Sequence, residues 1–580
     1  MTQNPSAVHT ANARTTVHAR WPDSRIFEAP VGSTLEAFAC AANIAGGADT
    51  LIVAALVDGR LRELTYALKR DADVEPVTMT SEDGMRIYRR GLTFLMVAAA
   101  MELFPDAHVQ VDHSVASGGY FCQVFGRDNF TADELARLKS RMCEMVAADL
   151  PIAKEVMPLP EAIAMFRARG DDDKVKLLGE RRKDYLVVYR LGSLADYFHG
   201  YMIPSAGYLR WFDLRPASHG FLLQFPQRRD PTVIQPPQEI DRLLIAFREY
   251  GSWLERLGIS DVGSLNEAVD TGRSREVVLV SEALHEQRIA QIATWVAEGK
   301  GDIRLILIAG PSSSGKTTFS KRLSVQLLAN GPHPFALAMD EYFVDREKTP
   351  KDEKGEYDFE SLHALDLERF NRDLLALMDG QEVTLPHYNF KTGRSGVGET
   401  VSLPKGTVII AEGIHGLNPD LVPQIPAARV LRIYVSALTQ LNLDRHNRVS
   451  TTDTRLIRRI VRDAATRGYD ALSTLRRWES VRRGETLHIF PYQENADVMF
   501  NSALVYELSA LRPLAEPLLL QVPPDAPEYV QSKRLLAMLS WFQPCPTDII
   551  PNNSILREFV GGSILEHFRL WGMPAPNDHR

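Results

Sequence analysis

The chain has 580 residues, 45% hydrophobic and 24% charged, with a formal net charge of −8. That length exceeds one core and suggests about three or four domains, and the ordinary composition points to neither wholesale disorder nor a membrane protein. The acidic balance offers no electrostatic support for RNA binding, and Cys40, Cys122, Cys143 and Cys545 lack CxxC spacing, which argues against a zinc ribbon or a disulfide framework and suits a reducing cytoplasm.

Residues 1–20 carry no apolar run of signal-peptide length and read as a flexible tail. No segment approaches about eighteen uninterrupted apolar residues, so a cytoplasmic protein without a membrane span is expected. Residues 21–88 read as a small β-rich module, with strands over 25–29, 51–58 and 61–65, a helix start at Gly32-Ser33-Thr34 and a turn at Asp58-Gly59. In residues 89–225 an amphipathic helix over 91–103 is stopped by Pro105, and a β-rich stretch over 109–124 follows. Pro226, Pro231, Pro236 and Pro237 mark a linker, because proline suppresses regular hydrogen bonding, and residues 226–290 read as linker and helices. Strands and helices alternate over 291–511, the pattern of an α/β doubly wound parallel sheet. Residues 512–580 read as a helical segment with no assigned chemistry.

Within the alternating region, Gly310-Pro311-Ser312-Ser313-Ser314-Gly315-Lys316-Thr317 fits the phosphate-loop pattern GxxxxGK[ST], between an apolar run over 304–309 and a helix-like run over 319–328. Glycines let the loop turn its N–H groups onto phosphate oxygens. The helix N-terminus, here with Thr318, adds partial positive charge, Lys316 reaches the β/γ-phosphates and Thr317 holds Mg²⁺. ATP and Mg²⁺ are the expected cofactors. The apolar run 335–339 ends in Asp340, placed at a strand end where a general base for a substrate hydroxyl belongs. A second run over 407–411 ends in Glu412, a candidate for the metal. Arg455, Arg458, Arg459 and Arg462 recur at i, i+3, i+4 and i+7, one face of a helix that could close over transferring phosphates.

These residues resemble the uridine kinase and phosphoribulokinase group of P-loop kinases. The resemblance covers roughly residues 304–502 and adds Met339-Asp340-Glu341-Tyr342-Phe343, Tyr357-Asp358-Phe359-Glu360, Leu385-Pro386-His387-Tyr388-Asn389-Phe390 and Asp453-Thr454-Arg455 to the motifs above. It implies that Asp340 is the catalytic base, that Lys316, Arg458, Arg459 and Arg462 assist catalysis, and that the arginine helix is a lid. It also implies an acceptor site including Tyr342, Glu360, Tyr388 and Arg394. Glu360 stands where uridine kinases usually have a ribose-binding aspartate, and Gly393 where they have a base-reading histidine.

The first 225 residues resemble the amino-terminal part of threonyl-tRNA synthetases, a TGS-like β-grasp module followed by an editing-like α+β domain. Residues 54–59 resemble the TGS hairpin, and 91–105 and 196–207 resemble the segments carrying the editing residues. The four editing positions read Arg90, Phe94, Phe198 and Met202, none a usual zinc ligand or imidazole base. The resemblance therefore implies a retained scaffold or binding module without hydrolytic chemistry, and His113 and His199 read as ordinary polar or packed histidines. The expected function is an ATP-dependent kinase acting on a hydroxyl of a nucleoside or related sugar-containing metabolite. The alternatives are a nucleotide-switched RNA-binding or regulatory protein and a phosphoribulokinase-like sugar-phosphate kinase, for which His387, Lys391 and Arg394 are candidate phosphate contacts.

Overall fold

A computed structural model describes residues 14–42, 51–115, 118–236, 241–299, 302–351, 355–439 and 441–568. Residues 1–13 of the expected tail, Pro237 of the expected linker and residues 569–580 lie outside this set. The chain divides into two compact units. The first comprises Met1–Gln238, Asp444–Arg448 and Pro524–Val530, and the second comprises Glu239–Leu443, Val449–Pro523 and Gln531–Arg580.

The first unit opens with a five-stranded sheet in the spatial order Ile26–Pro30, Thr16–Arg20, Ala72–Thr78, Ile52–Val57, Arg60–Glu63. Thr16–Arg20 is therefore a strand, whereas the sequence placed it in the tail. It pairs antiparallel with Ile26–Pro30 and parallel with Ala72–Thr78, and its alternate residues Val17 and Ala19 are fully buried. Helix Leu35–Ala41 is capped by the Thr34 side chain and buries Leu35 and Phe38 in the same core.

Helix Glu82–Leu103 begins well before the expected residue 91. Ser81 accepts from the Gly84 N–H, Glu82 and Asp83 complement the helix dipole, and Arg86 pairs with both of them. Its buried stretch from Leu92 to Ala100 packs beside a four-stranded antiparallel sheet in the order Asp213–Ala217, Gly220–Gln224, Gly119–Phe125, His108–Val115. A three-stranded sheet, Leu194–Asp196, Tyr185–Leu191 and Ile152–Pro158, completes this α+β part.

The second unit is built on a five-stranded sheet in the order Pro334–Ala338, Val408–Glu412, Leu305–Ala309, Val430–Ser436, Val498–Asn501, with every neighbouring pair parallel. Leu305–Ala309 is buried at all five positions, as a continuous apolar run at the centre of a parallel sheet should be. The strand that follows it in sequence lies on one side and Val430–Ser436 on the other. The crevice at its carboxyl end is thus a topological switch point, where open α/β sheets bind ligands. Helices Asp241–Leu257, Val262–Asp270 and Ser274–Ala297 occupy the stretch of expected helical patterning. The last packs on helix Lys316–Asn330 through Arg322, which donates to Glu286 at 2.6 Å. Helix Glu507–Leu520 runs through the expected boundary at 511 despite Pro513 and Pro517.

Candidate active site

The phosphate loop leaves Leu305–Ala309 and enters helix Lys316–Asn330. Gly310 admits no side chain, because a Cβ there would lie 2.0 Å from the Val435 carbonyl oxygen. Gly315 caps the helix at φ +83°, a conformation that favours glycine. Lys316 Nζ donates to the Gly310 and Pro311 carbonyls at 2.8 and 3.2 Å, and burial pulls its pKa down. The buried hydroxyls of Ser313 and Ser314 have no hydrogen-bond partner in the protein.

Sheet register brings the acids to this loop. Glu412 is level with Ile308 on one side and with Ala338 on the other. Thr317 Oγ1 donates to Glu412 Oε1 at 3.1 Å, while the buried Oε2 has no partner. Burial raises the Glu412 pKa, Lys316 and Thr317 oppose that shift, and the charges of Glu558 and Asp340 reinforce it. Asp340 lies two residues beyond Ala338, exposed, in the 3₁₀ turn Met339–Tyr342. The loop, Thr317, Glu412 and Asp340 thus share one sheet edge. The orphaned carboxylate and hydroxyl oxygens beside Lys316 are donors and acceptors of the kind that Mg²⁺ and phosphate require.

The next residue, Glu341, accepts from the Tyr388 N–H at 2.8 Å and contacts His387 Nδ1 at 3.0 Å, tying this turn to the hairpin Glu382–Asn389/Arg394–Ser402. Phe343, Tyr388 and Phe390 form an aromatic group with centroids 5.1–6.2 Å apart, and the buried Tyr388 hydroxyl has no partner. Glu360 fits against Gly484, where an added Cβ would fall 1.1 Å from its Oε2. Burial, followed by the charges of Glu485 and Asp358, raises the Glu360 pKa to about 7.

Tyr342 departs from the expected acceptor site. It is 1% exposed, packs edge-on against Phe370 and directs its hydroxyl to Asp373 at 3.4 Å, so it is a core residue. Arg394 lies on the exposed strand of the hairpin and contacts Glu347 at 4.0 Å. Beside it, the Arg346 guanidinium fills the space a side chain at Gly393 would need, with Nε 2.7 Å from the position of a Cβ.

The arginine helix, Thr451–Thr466, differs most from expectation. Arg455 and Arg458 are 1% and 0% exposed, and they pair with Glu485 and Glu507. Arg455 Nε donates to the Ser312 carbonyl at 2.8 Å, Arg458 Nη1 to the Ser313 carbonyl at 3.4 Å, and Arg459 Nη1 to Ser312 Oγ at 2.8 Å. Arg462 pairs with Glu558 at 3.2 Å. This face clamps the loop from its carbonyl side, with Arg455 and Arg458 committed to buried partners, and does not form an open lid of four arginines. Glu485, Glu507, Glu558 and Arg346 belong to no motif that a sequence scan would pick out.

In the first unit the four editing positions are filled by packing. Phe94 and Phe198 are buried with ring centroids 5.0 Å apart, Met202 is 2% exposed, and Arg90 donates to the Tyr201 carbonyl. His113 is buried, bonds Asp112 and stacks on Phe121, while the His199 N–H donates to Asn447 Oδ1 at 2.7 Å. The segment Asp444–Arg448 lies within this unit. Buried Lys174 stands 3.2 Å from Asp196 and 3.0 Å from Asp444, and His446 Nδ1 is 2.7 Å from Asp196.

Similarity to known proteins falls on the same two parts of the chain. Residues 305–509 match the Phosphoribulokinase / Uridine kinase family. The second unit carries a P-loop kinase domain of this family. The amino-terminal region is similar to threonine–tRNA ligases, 34% identical over 194 residues to that of Pelobacter propionicus, covering 33% of this chain and 30% of the relative. The Legionella pneumophila ligase is 32% identical over 200 residues, covering 34% and 31%. The chain thus spans about a third of the length of these curated relatives. A solved chain described as a "Possible Uridine Kinase from Bacillus stearothermophilus" is 22% identical, with a TM-score of 0.26, and covers 37% of this chain and 97% of that one. Among the described residues, no helix is long and apolar enough to cross a membrane, and no group of three or more His, Cys, Asp or Glu side chains could hold a metal ion.

Proposed function

We propose that the chain is an ATP-dependent kinase that transfers the γ-phosphoryl group to a hydroxyl of a nucleoside or related sugar-containing metabolite. The observation carrying this reading is the convergence of the phosphate loop, the Thr317–Glu412 contact at 3.1 Å and Asp340 on one edge of a parallel sheet. Mg²⁺-ATP, when bound, supplies the phosphoryl group and the metal charge that offsets it. Thr317 and Glu412 would hold the metal, Glu412 through its unpartnered oxygen. The loop amides, the helix N-terminus and Lys316 bind and orient phosphate. Asp340 takes the proton from the attacking hydroxyl, the role its exposure and strand-end position support. The aromatic group of Phe343, Tyr388 and Phe390 offers the acceptor an apolar face, with the Tyr388 hydroxyl and the Glu360 carboxyl as polar contacts. Arg459 stays with the loop through Ser312, and Arg455 and Arg458 act by holding its shape.

One observation favours a second reading of the acceptor. The guanidinium of Arg346 beside Gly393 would suit an anion, which favours a sugar phosphate. Both readings are tested by ADP release from Mg²⁺-ATP with ribonucleosides, deoxyribonucleosides and pentose phosphates, with Lys316→Ala as the blank. Release that depends on one acceptor class is expected. ATP binding with acceptor-independent hydrolysis would instead support a nucleotide-switched regulatory protein built on the synthetase-like unit.

A further inference from the structure

The segment 554–568 lies beyond the family match, yet it lies against the phosphate loop and the first turns of the helix that follows it. Ile555 Cγ2 is 2.5 Å from where a Cβ on Gly315 would stand, and Lys321 Nζ donates to the Leu565 and Glu566 carbonyls at 2.6 and 3.1 Å. Ile555, Leu556 and Phe559 are 0–1% exposed, and Arg458 lies over the Phe559 ring, so the backbone here is anchored. Between these anchors Glu558 projects its carboxylate onto the site. Oε2 accepts from Thr318 Oγ1 at 2.9 Å, and Oε1 accepts from Arg462 Nη1 at 3.2 Å.

A carboxylate so placed uses the kind of groups that a phosphate chain would need. Thr318 is in the first turn of the helix, whose amino end favours anions, and Arg462 is the clamp arginine whose guanidinium pairs with Glu558. A bound phosphate chain and this carboxylate are like charges in a partly buried place, and they repel at short range.

We propose that Glu558 is an intramolecular anion plug that competes with the nucleotide phosphates for Thr318 and Arg462, so that nucleotide binding requires its side chain to swing away. The proposal rests on the nucleotide-binding reading of the loop. Because Ile555, Leu556 and Phe559 fix the backbone, the movement is one of side-chain rotation and leaves the segment in place. The plug makes the resting affinity for nucleotide lower than the loop alone would give.

The test is calorimetric binding of Mg²⁺-ATP and of inorganic tripolyphosphate to the full-length protein and to Glu558→Gln, without acceptor. Glu558→Gln keeps the shape and removes the charge. The expected result is about tenfold tighter binding of both ligands by the variant, with hydrogen exchange at 554–568 unchanged in the absence of ligand. Equal or weaker binding by the variant, with acceptor-dependent turnover retained, would overturn the plug alone and make Glu558 a positioning residue for Thr318. Binding by neither protein would overturn the plug together with the kinase reading.

Discussion

Glu360 illustrates what a single environment does to a carboxyl. Burial beside Gly484, with Glu485 and Asp358 adding negative charge, raises its pKa from 4.5 to about 7. A raised folded-state pKa contributes stability that is complete below the unfolded value and is lost as pH rises through the folded value. The wild type should therefore lose thermal stability relative to Glu360→Gln as pH rises from about 4.5 through about 7. Melting curves of the two proteins at the ends of that window check this, and a difference that does not change with pH would contradict it. At the same scale, Lys316, Thr317, Glu412 and Asp340 were legible in the sequence because motif spacing and strand ends fix them. Their neighbour Tyr342 was not, because a 3₁₀ turn sends its ring into the Phe370 core while Tyr388 reaches the site from a separate hairpin. The glutamates around the loop were also invisible: Arg455–Glu485, Arg458–Glu507 and Arg462–Glu558 are pairs separated by 30, 49 and 96 positions.

Among the elements, the arginine helix shows how periodicity can give the face and miss its surroundings. The i, i+3, i+4, i+7 spacing does put four guanidinium groups on one side, but two of them are buried with carboxylates and bonded to loop carbonyls. Removing one partner of a buried pair leaves the other uncompensated, at a cost of about 3–5 kcal/mol. Arg455→Ala should destabilise the second unit by that order, as read by the urea midpoint, and should also weaken Mg²⁺-ATP binding because Ser312 loses its clamp. Retained stability with lost binding would return Arg455 to a ligand-contacting role. Strand Leu305–Ala309 was legible from its unbroken apolar run, whereas Thr16–Arg20 was hidden, because its short mixed sequence becomes a strand only through partners such as Ala72–Thr78.

Across the whole molecule, the chain returns from the second unit to the first over Asp444–Arg448. There buried Lys174 pairs with both Asp196 and Asp444, Arg169 also pairs with Asp196, and Arg445 pairs with Asp173 at 2.8 Å. Lys174→Met should free this segment, raising hydrogen exchange at His446 and Asn447, whose amides donate to Asp444, and lowering the free energy of unfolding of the first unit, measured in urea, by about 3–5 kcal/mol. Unchanged protection there would show that the ion cluster does not hold the segment. Nothing local in the sequence predicts such a return, since it depends on side chains far apart in the chain. The likeness of the first unit to threonine–tRNA ligases and of the second to the kinase family was legible, because each rests on contiguous motifs.

The proposed reaction is phosphoryl transfer with Asp340 as the base. Its most direct test follows the labelled γ-phosphate of ATP onto the acceptor, in wild type and in Asp340→Asn. The prediction is labelled acceptor from the wild type, a rate at least about a hundredfold lower from the variant, and Mg²⁺-ATP affinity unchanged within about threefold. Label appearing only as inorganic phosphate in the wild type, or on the acceptor at wild-type rate in Asp340→Asn, would contradict it.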